Sequence, residues 1–303
     1  MNKAQALSPL GKRFKKSFAF YFFMLPGIIY FALFHYFPIF NMYIAFKEFN
    51  LAGEGDWIGI ANFVEMFSSS KFYQVVGNTL ILSGFNILLQ MSVVIVISLL
   101  LNEIRFRLFK RTIQTIIYLP HFLSWVVVAS VFHLILSPQT GIVNVLIQIF
   151  GGKPIYFLGK EEWWRPVYLF ILLWREIGWG TVIYLAALSG IDPQLYEAAN
   201  IDGANRFTQM RVITIPHLIP TMVAVLIWNL SKVLNLFHSV LVLYSPAVYD
   251  VSDVIETYVF RKGIQDGSYG YATAVGIFKA IIAFILVISA NKIVKKLRGE
   301  AII

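Results

Sequence analysis

Four charged side chains stand inside apolar runs. Arg175 and Glu176 interrupt one run, Lys232 a second and Lys279 a third. Ionisable groups within a membrane span are costly, and they mark polar paths or interhelical pairs. Adjacent residues leave a helix about 100° apart, so Arg175 and Glu176 are not expected to pair with each other. Two readings stay open for them: they line a polar path, or they pair with neighbouring helices near an interface. Lys232 and Lys279 carry the same two readings. Around Lys232 stand Trp228, Asn229, Asn235 and His238, and near Glu176 stand Trp174, Trp179 and Tyr184. A few polar groups in an otherwise apolar, aromatic wall make a small-molecule site. The same residue types also mark membrane interfaces and helix contacts. From this set, Trp228, Asn229, Lys232, Asn235, Trp179 and Glu176 form the candidate substrate path. His121 and His133 have no carboxylate nearby in sequence and read as packing residues rather than metal ligands.

None of these groups suggests covalent catalysis. The apolar runs hold no paired aspartates, no H-E-x-x-H and no Ser/His arrangement of the nucleophilic type. The chain has no cysteine, which removes thiolate metal sites and disulfides. No G-x-x-x-x-G-K-[ST] phosphate loop is present; "GGKP" at 151–154 lacks both the spacing and the hydroxyl residue. No metal or cofactor is expected in this chain, and if ATP drives it, another chain binds the ATP and magnesium.

The elements that must position these residues are membrane helices. The 303 residues are 58% hydrophobic and 14% charged, with a mean hydropathy of +0.71. A soluble domain carries about 25% charged residues. A span needs about 20 apolar residues, and six candidates appear at 18–37, 77–101, 112–136, 166–188, 217–243 and 272–292. The basic start resembles a signal peptide, but its apolar run has no charge from Ser17 to Phe46 and reads as a retained helix. The net charge of +9 clusters beside the spans, which argues for topology rather than nucleic acid. Lys and Arg are denser up to Lys16, between Arg105 and Arg111, at Arg206 and Arg211, and after Lys292 than in the alternate loops. That bias predicts cytoplasmic N and C termini. The expectation is an all-α integral membrane chain, one transmembrane domain over 1–303, with a basic tail at 1–16. It also has a cytoplasmic loop at 190–215 between the fourth and fifth spans and an extracytoplasmic loop at 245–271. The extracytoplasmic segments 47–72, 137–165 and 245–271 each have room for a short helix. The last of them reads as a docking surface or as a solvated connector.

The cytoplasmic loop runs into "YEAANIDGANRFTQMRVITIPHLIP" (196–220), polar and bipolar in charge between two apolar runs. Asp192-Pro193 is a helix start, and Gly203 predicts two short helices meeting at an angle. Ala198 and Ala199 leave one face without bulk, open to another protein. Pro216 and Pro220 are expected to stop or kink the second piece. Taken on these residues alone, the segment is a lever for a soluble partner or two amphipathic turns on the lipid surface.

The pattern of Glu197, Ala198, Ala199, Asp202, Gly203, Ala204, Phe207, Ile213, Pro216 and Pro220 resembles the E-A-A loop of permease subunits in binding-protein-dependent ABC importers. Met210 departs from it, where many relatives carry an aromatic residue. The stretches "LFHYFPIFNMYIAFKEFN", "YLPHFLSWVVVASVF", "WREIGWGTVIYLAALSGIDPQLYEAA" and "YDVSDVIETYVFRKG" are similar to the carbohydrate branch that serves complex oligosaccharides. The resemblance implies that Tyr196, Glu197, Ala198, Ala199, Asp202, Gly203, Ala204, Phe207 and Pro216 couple to a cytosolic ATPase. It also implies a second related permease subunit, two ATPase subunits, an extracytoplasmic sugar-binding protein and a place in the bacterial cell membrane. The site above would then take an oligosaccharide, its hydroxyls on the amides and its C–H faces on the indoles. A proton-coupled secondary transporter using Glu176, an ABC permease for a non-sugar solute and an intramembrane enzyme are the competing readings.

Overall fold

The computed structural model describes residues 9–50 and 53–298. Residues 1–8 of the basic start and residues 299–303 lie outside the described residues. Five helices are long and apolar enough to cross a membrane, and the number of candidate spans is six if a bent pair of helices counts as one. The chain is thus a helical membrane protein, as its composition requires.

The first span, Phe20–Phe46, is longer than expected and none of its apolar window is buried within the chain. It begins as α1 (Pro9–Phe31) and passes through a π turn at Ala32–Tyr36. A second π turn, Met210–Thr214, lies in the fifth span. Each π turn contains the residue four before a proline, Phe34 for Pro38 and Val212 for Pro216. Proline has no N–H for that carbonyl and its ring crowds it; the wider turn relieves the clash without breaking the helix. The helix therefore runs unbroken from Arg206 to Ser231, so of the stop or kink expected of Pro216 and Pro220 the stop does not occur.

The second span is α2 (Ser70–Glu103) and the fourth is α3 (Glu161–Ser189). They pack along much of their length. The predicted third span at 112–136 is broken instead. Arg107–Phe122 and Trp125–Ile135 meet at 106°, because Pro120 ends the first piece in a tight turn and Ser124 caps the second through Val127 N, 3.3 Å away. The predicted fifth span at 217–243 is also broken: the helix ends at Ser231 and resumes only at Phe237–Leu243. The sixth span starts at Tyr269 and continues to Arg298.

The three long loops each fold locally. Lys47–Asn50 and Gly53–Trp57 form a small antiparallel pair, a non-helical element that the sequence reading lacked. Ala61–Ser68 and Ile142–Ile149 are helices. Asn144 donates to Leu136 O, Ser137 O and Ile155 O and accepts from Ile155 N, all within 3.1 Å, so it closes the 137–155 loop. Segment 245–271 is not a solvated connector. Val248, Val254, Ile255 and Tyr258 are buried, and the buried Asp253 pairs with Arg261. Arg165 donates to Asn78 Oδ1 at 2.7 Å and to Val251 O at 3.1 Å, and Asn78 donates to Asp250 O and Asp253 O. Lys71 binds the exposed Asp250 carboxylate at 2.8 Å. That hydrogen bond and the ammonium's charge hold the carboxyl below its ordinary range.

Within a bilayer, helices associate through close packing and hydrogen bonds rather than through a hydrophobic drive. Gly178 shows the close packing: a Cβ there would stand 2.2 Å from Ile117 O. Gly178→Leu should lower stability by about 1–3 kcal/mol, a typical overpacking cost. Gly84, with nothing within 4 Å of its would-be Cβ, serves as the control: Gly84→Ala should leave thermal unfolding in detergent unchanged. Equal melting of both variants and the wild type would contradict this packing.

Candidate functional site: a cavity at two broken spans

Helical periodicity brings one face of each of three spans to a cavity of about 520 Å³. From α2 come Ser83, Asn86, Gln90 and Val94, from α3 come Glu176, Trp179, Gly180, Ile183 and Tyr184, and from the fifth span come Val225, Trp228, Asn229 and Lys232. These positions recur at three, four and seven residues, one side of an α-helix. The break at 232–236 completes the wall. There Leu234 and Leu236 are buried while Lys232 and Asn235 are exposed, so the unwound segment alternates between anchoring and lining. The volume falls in the usual range for small-molecule sites, about 300–1,000 Å³.

All six residues of the candidate path, Trp228, Asn229, Lys232, Asn235, Trp179 and Glu176, line this one cavity. Tyr184 and His238 line it too, whereas Trp174 turns away and meets Phe132 edge-on with centroids 5.3 Å apart. Sequence reasoning missed Ser83, Asn86 and Gln90. The available signal was a polar stripe at three- and four-residue spacing inside an otherwise apolar run.

Both breaks expose backbone groups, and side chains from other helices take them up. At the fifth-span break, Ser83 Oγ donates to Val233 O. At the start of the resumed helix, Phe237 N donates to Glu256 Oε2 at 2.6 Å. Lys279 donates to Glu256 and to Asn235 Oδ1, the latter at 2.9 Å, so it is an interhelical strut. Lys232 differs: its ammonium lies 4.0 Å from the Trp228 ring centroid and it makes no ion pair among the described residues.

At the third-span break, Arg175 donates from Nε and Nη2 to Leu123 O at 3.1 and 3.0 Å. Its guanidinium sits 4.6 Å from the Trp125 ring centroid. Arg175 also pairs with Glu176, contrary to expectation. Their Cα–Cβ bonds diverge, but the long arginine stem folds back far enough to close the gap. Glu176 Oε2 lies 3.1 Å from His121 Nδ1, and His121 stacks on Trp179 at 5.0 Å and 9°. His121 is thus held by a carboxylate 55 positions away. His133, expected as a packing residue, is exposed.

The polar segment at 190–215 sits at the far end of the same fifth-span helix. Asp192 caps Gln194 N at 2.9 Å and the helix runs Pro193–Ile201. Gly203 has φ +76°. Gly203 N donates to Asn200 O and Ala204 N to Ala199 O, the two bonds of a Schellman stop, which favours glycine. Asn205 then caps Thr208 N at 2.9 Å and starts the next helix. Glu197, Ala198, Asp202, Gly203, Phe207 and Pro216 are exposed. Ala199 and Tyr196 pack inward beside Ile213 and Leu218, and Tyr196 Oη reaches Thr214 Oγ1 at 3.0 Å. Ala204 is half-buried, its carbonyl accepting from Gln209 Nε2 at 2.9 Å.

Arg175 makes the third-span break affordable. Arg175→Met should cost about 2–3 kcal/mol, the loss of a charge-assisted pair plus an unsatisfied carbonyl. Arg175→Lys should recover only part of it, since an ammonium lacks the fork. Thermal unfolding in detergent measures both, and an Arg175→Met protein as stable as the wild type would refute this role.

Residues 93–299 match the family described as the inner membrane component of binding-protein-dependent transport systems. The chain is 43% identical to the polygalacturonan/rhamnogalacturonan transport system permease protein YteP of Bacillus subtilis (strain 168), over 93% of this chain and 89% of that one. It is 39% identical to protein LplB of the same organism, over 93% and 90%. A crystal structure of a bacterial ABC transporter involved in the import of the acidic polysaccharide alginate superposes with a TM-score of 0.90 at 38% identity, covering 96% of this chain and 100% of that one. A second structure of comparable similarity holds that type of transporter in complex with an alginate pentasaccharide-bound periplasmic protein. The chain is a multi-pass protein of the bacterial cytoplasmic membrane and belongs to the binding-protein-dependent transport system inner membrane component family.

Proposed function

We propose that this chain forms half of the transmembrane pathway of an ATP-driven oligosaccharide importer, and that the cavity beside the broken fifth span is its share of the substrate route. A second related permease subunit supplies the other half. Two cytosolic ATPase subunits bind ATP and magnesium, and an extracytoplasmic sugar-binding protein delivers the substrate to the end that carries 47–72, 137–165 and 245–271. The termini and the 190–215 loop face the cytoplasm, in line with the Lys and Arg distribution. Tyr196, Glu197, Ala198, Ala199, Asp202, Gly203, Ala204, Phe207 and Pro216 make the coupling surface. Exposed Glu197, Ala198 and Phe207 touch the ATPase, while Tyr196 and Ala199 fasten the loop to its own bundle.

One observation carries the reading: the helix Arg206–Ser231 is continuous, with the exposed loop at one end and the cavity-lining break at the other. A push on the loop reaches the cavity through a stiff rod. ATPase closure and binding-protein docking would bias the cavity between outward and inward states through their different affinities for each. The chain itself makes and breaks no covalent bond.

The test is co-purification from solubilised native membrane. The wild type should bring down an ATPase and a second permease. Glu197→Lys and Gly203→Asp should lose the ATPase and keep the permease. A wild type that comes down alone, or variants that retain the ATPase in full, would overturn the assignment of this loop.

A further inference from the structure

The charges around the cavity do not cancel. Its carboxylate, Glu176, is already engaged by Arg175 and by His121. Its lysine, Lys232, has no carboxylate partner among the described residues and lies over the Trp228 ring. Of the other titratable groups on the wall, His121 and His238 add positive charge or none, and the Tyr184 hydroxyl donates to Met91 Sδ. An unpaired ammonium inside a transmembrane bundle is expensive, and Lys279, the comparable residue on the last span, is matched to Glu256. The difference is where they point: Lys279 ties helices together, and Lys232 faces the cavity beside two half-exposed indoles, Trp228 at 58% and Trp179 at 53%.

We propose that Lys232 makes this cavity selective for acidic oligosaccharides, its ammonium taking a uronate carboxylate while Trp228 beneath it carries the apolar face of the same sugar ring. The proposal rests on the cavity being the substrate route. Asn229 and Asn235, on either side of Lys232, offer amides to the ring hydroxyls. A neutral oligosaccharide would keep the stacking and the amide bonds but leave the ammonium unpaired. A competing structural role exists, because Lys232 follows the last residue of the helix ending at Ser231, where a cation favours the helix dipole. That role alters stability and leaves sugar preference untouched.

The discriminating probes are α-1,4-trigalacturonate and its methyl ester, alike in backbone and different in charge. Equilibrium binding is measured on the permease complex purified from native membrane, at low ionic strength, for the wild type, Lys232→Met and Lys232→Arg, with thermal unfolding recorded alongside. The wild type should bind the acid about tenfold more tightly than the ester, the worth of one charge-assisted contact. Lys232→Met should bind the two alike while still binding the ester, and Lys232→Arg should keep the preference. Two results overturn the proposal and leave the substrate route standing: equal binding of both probes by the wild type, or an undiminished acid preference in Lys232→Met. Binding of neither probe by an assembled, folded complex overturns the substrate route itself, and the proposal with it.

Discussion

A bilayer offers no water to a backbone carbonyl, so every break in a spanning helix must be answered by a side chain. This chain breaks two of its spans beside one cavity and answers both from other helices. Arg175 on the fourth span holds Leu123 O. Ser83 on the second holds Val233 O, and Glu256 receives Phe237 N where the helix resumes. The close seam between the second and fourth spans supplies the fixed frame that makes those answers dependable. Gly180 belongs to that seam, since a Cβ there would stand 2.8 Å from Val94 Cγ1.

The breaks create the polar wall that an unbroken span lacks. A regular helix presents side chains and hides its backbone. The segment 232–236 instead places Lys232 and Asn235 toward open volume while Leu234 and Leu236 stay in the core. Such discontinuous helices are where membrane transporters commonly build their binding sites. The same helix extends for 26 residues back to Arg206, about 39 Å at 1.5 Å per residue, so one continuous helix links loop and wall.

Much of this was legible in the sequence. Hydropathy located the five long spans and the bent pair, because bilayer thickness leaves a run-length signature that needs no tertiary information. The turn at Gly203 was legible because a left-handed residue after a helix asks for glycine. The aromatic, amide and charged members of the wall on the fourth and fifth spans followed from residue type, whereas Ser83, Asn86 and Gln90 on the second did not. What stayed hidden depended on partners far along the chain. Pro120 and Ser124 mark the third-span break locally, yet hydropathy averaged across them. The fifth-span break at Lys232 has no proline or glycine at all; it persists through Ser83 and Glu256, distant in sequence. The pairing of Glu176 with His121 is likewise a matter of packing, 55 residues apart. Pro216 does not stop the fifth span, since a π turn absorbs it.

The central claim is that the wall at 232–236 changes sides when the ATPases act. The native chain contains no cysteine, so a single thiol can be placed at Asn235 without other changes. In inside-out and right-side-out vesicles holding the assembled importer, the reaction of Asn235→Cys with a membrane-impermeant thiol reagent is measured at rest and after ATP hydrolysis with vanadate, which traps the ADP-bound state. The account predicts access from one face in the resting state and from the opposite face in the trapped state. Access from the same face in both states, or from neither, would contradict it.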